Sequence, residues 1–138
     1  MDTPTFEKPL PDVSPETGPF WKGLKEHTLV LQRCSHCGTI RHYPRPMCDQ
    51  CFSLDSEWIE ATGRGKVHSW TVAHHPFHMG FKQDLPYVVL TVDLDEGVRM
   101  VGPLRGATEA DLAVGAAVTI CFEDVNEKVT LPGFTLDG

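Results

Sequence analysis

The chain has no apolar run approaching the roughly 20 residues that a membrane-crossing helix requires, so no membrane association is expected. It is also short of positive charge, with 12 Lys and Arg against 19 Asp and Glu. The shortfall is uneven: residues 1–21 carry one base against four acids, residues 22–66 seven against five, and residues 67–138 four against ten. A nucleic-acid binder displays a basic stripe, and the larger half of this chain is strongly acidic, which argues against nucleic acid as partner. The N-terminal stretch MDTPTFEKPLPDVSPETG lacks the apolar segment of a secretory signal, so the cytoplasm is the expected location. Residues 29–54 show no helical crossover, which disfavours a thioredoxin-like dithiol.

Four of the five cysteines are what is present instead. Cys34 and Cys37, then Cys48 and Cys51, spell two C-x-x-C pairs separated by ten residues. Each pair forms a knuckle that presents two thiolates to one cation, and a short connection lets the second pair complete a tetrahedron. Gly38 stands where the first knuckle must turn tightly, whereas Phe52 fills the equivalent place in the second. The spacing predicts a structural zinc ribbon, although iron in a rubredoxin-like site would use the same four thiolates. With four protein ligands no coordination position is left open, so the metal is expected to hold structure rather than activate water. Cys121, with no motif around it, is read as a small packing residue.

The chain divides into an N-terminal tail and helix (1–27), a ribbon (28–56) and a strand-rich domain (57–138). Residues 1–14 are Pro-rich and read as a mobile or partner-bound tail. Residues 15–27 read as a helix, with Ser14 or Thr17 as cap and Phe20, Trp21 and Leu24 on one face. The ribbon has few apolar residues, so a metal has to supply what a core cannot. Arg33, Arg41 and Arg45 cluster around it; they either balance the negative metal–thiolate centre or meet phosphates.

Beyond the ribbon, Trp58–Ile59, Lys66–His74, Pro86–Asp95, Val98–Leu104 and Ala117–Glu123 read as strands, with Asp95-Glu96-Gly97 as a hairpin turn. Thr108–Val114 reads as a short helix capped by Thr108. About five strands with a short helix before the last long one predict a small closed barrel of the OB type. Trp70 reads as core or sheet surface, not as a base-stacking platform.

Two function classes fit that architecture: an accessory module, or a single-stranded nucleic-acid binder. A third, an independent enzyme, would have to use the segment His74-His75-Pro76-Phe77-His78-Met79-Gly80-Phe81. No carboxylate or nucleophile stands there at motif spacing, and Pro76 breaks any helical register. His74, His75, Phe77, His78 and Phe81 are therefore read as a ligand or partner loop, since apolar residues on a loop point to contact with something.

The stretches FWKGLKEHTLVLQRCSHCG, YPRPMCDQC, TGRGKVHSWTV, PYVVLTVDLDEG and VTLPGF, running from Phe20 to Phe134, together resemble one family. Its members join a helical segment, a rubredoxin-like zinc ribbon and an OB-fold domain, and accompany acyl-CoA enzymes. The resemblance implies a mainly β protein that is not itself an enzyme. It implies an accessory subunit of a thiolase-superfamily protein, either a thiolase or a thiolase-fold aldolase of aromatic, steroid or fatty acyl-CoA breakdown. Some members of the family work beside a MaoC-like hydratase. An acyl-CoA, with an apolar tail and a phosphate-rich head, would suit Phe77 and Phe81 beside the basic ribbon residues; alternatively, the same loop plugs against the partner enzyme. Metal binding carries over to Cys34, Cys37, Cys48 and Cys51; no catalytic residue does.

Overall fold

A computed structural model describes residues 7–137. The first six residues of the expected tail lie outside the described residues, and residues 7–14 contain no helix or strand.

Helix α1 spans Gly18–Lys25, shorter than the expected 15–27. Its start is delayed because Ser14 and Thr17 bond to each other first: Thr17 N–H donates to Ser14 Oγ at 3.2 Å, and Gly18 N–H to the Ser14 carbonyl at 2.8 Å. Thr17 sits at the N-cap position without making a side-chain cap bond, and Pro19 occupies the first turn, where its missing N–H is harmless. Phe20 and Leu24 are buried and Trp21 is half-buried. At the far end Thr28 N–H returns to the Gly23 carbonyl at 2.8 Å. A Cβ on Gly23 would lie 2.9 Å from the Thr28 carbonyl oxygen, so glycine permits the tight reversal into the first strand.

Strands β1 (Val30–Cys34), β2 (Ile40–Arg41) and β3 (Ser56–Glu60) form an antiparallel sheet in the order β2-β1-β3. The Trp58–Ile59 strand thus pairs with β1 of the ribbon, Leu31 opposite Ile59 and Gln32 opposite Trp58. Five further strands follow: β4 (Arg64–Ala73), β5 (Tyr87–Leu94), β6 (Arg99–Pro103), β7 (Ala117–Asp124) and β8 (Thr130–Leu136). Their order is β6-β5-β4-β7-β8, all antiparallel. Strand β4 serves two neighbours, and a register shift between Val67 and Ser69 marks the bulge where it bends. Gly65 lies at a crowded crossing, where a Cβ would come within 2.5 Å of the Asp93 carbonyl oxygen.

The sheet curls until its two edges nearly meet. Leu104 and Phe134 form a parallel bridge, and Arg105 N–H donates to the Phe134 carbonyl at 2.8 Å. Gly102 makes the closure possible, since a Cβ there would stand 3.0 Å from the Phe134 ring. This is a five-stranded OB-type barrel, as predicted, but its fifth strand is β8, which is not among the expected strands, in place of Trp58–Ile59, which the ribbon sheet takes.

The alternation read from the sequence sets the inside of β5 and β7, where Leu90, Val92, Leu94 and Val118 are buried, and Phe134 on β8 joins them. Phe20 and Leu24 of α1, and Leu29 and Leu31 leading into the ribbon, belong to the same cluster. One continuous core therefore joins helix, ribbon and barrel. The expected helix over 108–114 is only a single 3-10 turn, Glu109–Asp111. Asp111 Oδ2 accepts from Thr108 N–H at 3.0 Å, and Leu112 is already extended, which lets it pack on the core.

Candidate metal centre

The two knuckles repeat the same backbone pattern. In the first, Gly38 N–H donates to the Cys34 carbonyl at 3.0 Å and Cys34 N–H to the Thr39 carbonyl at 2.9 Å. In the second, Phe52 N–H donates to the Cys48 carbonyl at 3.0 Å and Cys48 N–H to the Ser53 carbonyl at 2.9 Å. Backbone N–H groups also point at sulfur, Cys37 N to Cys34 Sγ at 3.5 Å and Gln50 N to Cys48 Sγ at 3.4 Å. The first knuckle hangs from the end of β1, and Ser35 N–H ties it to the Asp55 carbonyl at 3.0 Å.

Folding thus brings Cys34, Cys37, Cys48 and Cys51 together with all four sulfurs within 4.8 Å of one another. Cys34 and Cys51 Sγ are 3.5 Å apart, and Cys37 and Cys48 Sγ 3.6 Å. A tetrahedral ion bound at about 2.3 Å to each sulfur would separate them by about 3.8 Å, so the site fits zinc. Cys34 and Cys48 are buried and Cys37 is exposed. The Cys37 backbone N–H pulls the Cys34 thiol down to about 6, whereas at Cys51 the pull of the Ser53 backbone is outweighed by burial and by the other three sulfurs, which raise it. Donors aimed at sulfur favour the thiolate, the form that binds metal. A centre with four protein sulfurs holds structure; bound there, zinc would supply a cross-link between the two knuckles.

A second device, missed from the sequence, supports the connection between them. Buried Gln32 accepts through Oε1 from Arg41 Nε at 2.7 Å and from Arg45 N–H at 2.8 Å, and its amide nitrogen donates to Ser56 Oγ at 3.2 Å. Arg41 is 5% exposed, and its second guanidinium nitrogen donates to the Arg45 carbonyl at 3.0 Å. Arg41 therefore braces the Pro-rich connection against β1. A polar residue between Leu31 and Arg33 carries no sequence mark of that role. Arg33 pairs with Glu57 at 2.6 Å, and Arg45 lies 3.6 Å from Asp49. The three arginines surround the ribbon but engage different partners.

The histidine-bearing segment connects β4 to β5 and ends in a 3-10 helix, Met79–Asp84. His78 Nδ1 accepts from Gly80 N–H at 3.0 Å, and His75 meets the edge of Phe77. Among the described residues the only potential metal-holding group is the four cysteines, so the histidines form no second one. Phe77 is 83% exposed, whereas Phe81 is half-buried against Tyr87, with Lys8 lying over its ring at 5.5 Å. Trp70 packs against the core, and Cys121 is half-buried beside Gly133.

Fold and centre together define a zinc-ribbon protein carrying an OB-fold barrel. Residues 21–57 match the family described as "ChsH2, rubredoxin-like zinc ribbon domain", and residues 58–123 match "ChsH2, C-terminal OB-fold domain". The chain belongs to this ChsH2/DUF35 family. It is 38% identical over 131 residues to a "Probable enoyl-CoA hydratase alpha subunit" of Thermomonospora curvata, covering 95% of this chain but 40% of that protein. It is 31% identical to a "DUF35 domain-containing scaffold protein" of Methanocaldococcus jannaschii, covering 78% of this chain and 77% of the relative. It is also 30% identical to the "Benzoylsuccinyl-CoA thiolase subunit BbsA" of Geobacter metallireducens, covering 78% and 66%. Among solved structures, a chain of "Ltp2-ChsH2(DUF35) aldolase" superposes with a TM-score of 0.83 at 38% identity, covering 92% of this chain and 98% of that one. No helix of the described residues is long and apolar enough to cross a membrane.

Proposed function

We propose that this chain is a non-catalytic accessory subunit of a thiolase-superfamily acyl-CoA enzyme, working in the cytoplasm. The observation that carries this reading is its likeness, across 98% of the matched chain, to a component of an aldolase complex. The scaffold and thiolase-subunit names of two other relatives point the same way. The chemistry agrees, because a centre built from four cysteines cross-links rather than catalyses. Large apolar side chains remain exposed where the core does not use them: Phe52 (69%) and Leu54 (74%) beside the second knuckle, and Phe77 (83%) on the β4–β5 connection. Such residues suit contact with a partner.

The subunit's contribution is positional. It docks as one body, because helix, ribbon and barrel share a core. The β4–β5 connection, with His74, His75, Phe77, His78 and Phe81, then borders the partner's substrate entrance and helps hold the acyl-CoA. Binding energy remote from the reacting carbon lowers the barrier in the partner's active site. A MaoC-like hydratase is a second candidate partner, on the strength of the relative named as a hydratase subunit.

The test is capture of a tagged chain from native lysate with mass-spectrometric identification of what accompanies it. Stoichiometric recovery of a thiolase-fold protein is expected. Recovery of the chain alone, or with nucleic acid that salt removes, would overturn the reading.

A further inference from the structure

The barrel's seam carries a groove that the described residues leave open. Strands β6 and β8 are the two edges of the sheet, and they join only near the Leu104–Phe134 bridge. On the outer surface beside that junction lies a cavity of about 350 Å³, within the range of small-molecule sites. Its walls are Tyr87 and Val89 of β5, Val101 and Pro103 of β6, and Leu131 and Pro132 of β8. Phe81 closes one side, with Arg105 and Asp84 also at the rim.

An open seam between two edge strands ordinarily invites a third strand, yet these edges are blunted. Leu104 N–H bonds to Val88 of β5, so alternate residues Val101 and Pro103 turn their backbone toward the open edge. Val101 N–H is already taken by Tyr43 Oη at 3.0 Å, and Pro103 has no N–H. On β8, Phe134 turns its backbone to the seam, as Arg105 shows by bonding to it; Pro132, two residues earlier, faces the same way and also has no N–H. A peptide strand would find few donors here. An aliphatic chain asks for none.

Charge selects the head group. Lys8 already pairs with Asp84 at 2.6 Å, neutralising the one carboxylate that lines the groove among the described residues. Among the described residues, the Arg105 guanidinium meets a carboxylate at an exposed contact to Glu123 at 3.3 Å, a weak class of ion pair. We propose that this seam binds an anionic amphiphile, with its aliphatic acyl chain between Pro103 and Pro132 and its polar end toward Arg105. The proposal rests on the acyl-CoA reading above and gives that ligand a place on this subunit.

The experiment is a titration of the methyl-labelled full chain with decanoate, followed by NMR. Saturable shifts of the Val89, Val101 and Leu131 methyls are expected. Val101→Gln, on an exposed wall position, should weaken binding by about tenfold or more. Leu131→Asn on the facing wall should do the same, guarding against a misfolded first variant. Val114→Arg, outside the groove, should change nothing. Arg105→Gln should weaken decanoate but leave decanol unaffected. Decanoyl-CoA in place of decanoate shows which source of the shared chemistry is preferred, the tighter binder naming it. Absence of saturable shifts, wild-type binding by both wall variants, or displacement of decanoate by a strand-forming peptide would overturn the proposal. Because the isolated chain is titrated, failure here leaves capture of a thiolase-fold partner intact, and failure of that capture leaves the groove result intact.

Discussion

Gly38 and Phe52 occupy the same step of the two zinc knuckles, with φ of +78° and +65° and identical 3.0 Å hydrogen bonds to the carbonyl of the leading cysteine. Only one of them is the residue that this backbone favours. A non-glycine residue in the left-handed region is strained by about 1–2 kcal/mol. Phe52→Gly relieves that strain but loosens the unfolded chain, so stability should change by less than about 1 kcal/mol. Gly38→Ala meets no atom within 4 Å, so it should lose only the strain energy and keep full zinc stoichiometry. Denaturant unfolding with metal analysis checks both.

Cys34→Ser removes a buried ligand from the centre. Because metal binding and folding are coupled in a module with few apolar residues, zinc content and ribbon stability should fall together. A strong chelator should produce the same change in the wild-type chain. Full zinc occupancy with unchanged stability in the variant would refute the four-thiolate assignment.

His42 lies between Phe20 and Tyr43, with ring centroids 5.3 and 4.0 Å away, and its Nε2 has no hydrogen-bond partner among the described residues. Burial pushes its imidazole down to about 4, so the folded protein keeps it neutral while the unfolded chain protonates near 6.5. The unfolded state therefore binds the extra proton first, and stability falls as pH drops from about 6.5 toward 4, by about 3 kcal/mol in all. His42→Phe should flatten that part of the profile. Unfolding of both proteins at pH 7 and pH 5 in excess zinc isolates the effect from thiolate protonation.

Phe77 contributes almost nothing to the core, being 83% exposed. Phe77→Ala should leave the stability of the chain within about 0.5 kcal/mol of wild type. It should nonetheless weaken acyl-CoA use by the assembled complex, read as a rise in KM. Unchanged kinetics would remove the β4–β5 connection from the proposed function.

Much of this protein is legible before any folding is considered. The two C-x-x-C pairs carry the metal centre because a knuckle is a local structure, set by spacing and by a tight turn. Val88–Leu94 and Val118–Phe122 announce strands because a two-residue period survives in the linear order, and the buried residues on β5 are the ones that period selects. Other features depend on partners distant in the chain. Thr108–Val114 looks helical, but Leu112 is drawn out to meet the core. Gln32 is unremarkable in sequence and acquires its role only when Arg41 and Arg45 fold over it. Nor does any local pattern show that Trp58–Ile59 pairs with β1, or that Pro103 and Pro132 face each other's edges across a seam. Spacing and periodicity record what neighbours along the chain can do; which distant edges meet, and what they leave open, is settled by packing around a shared core.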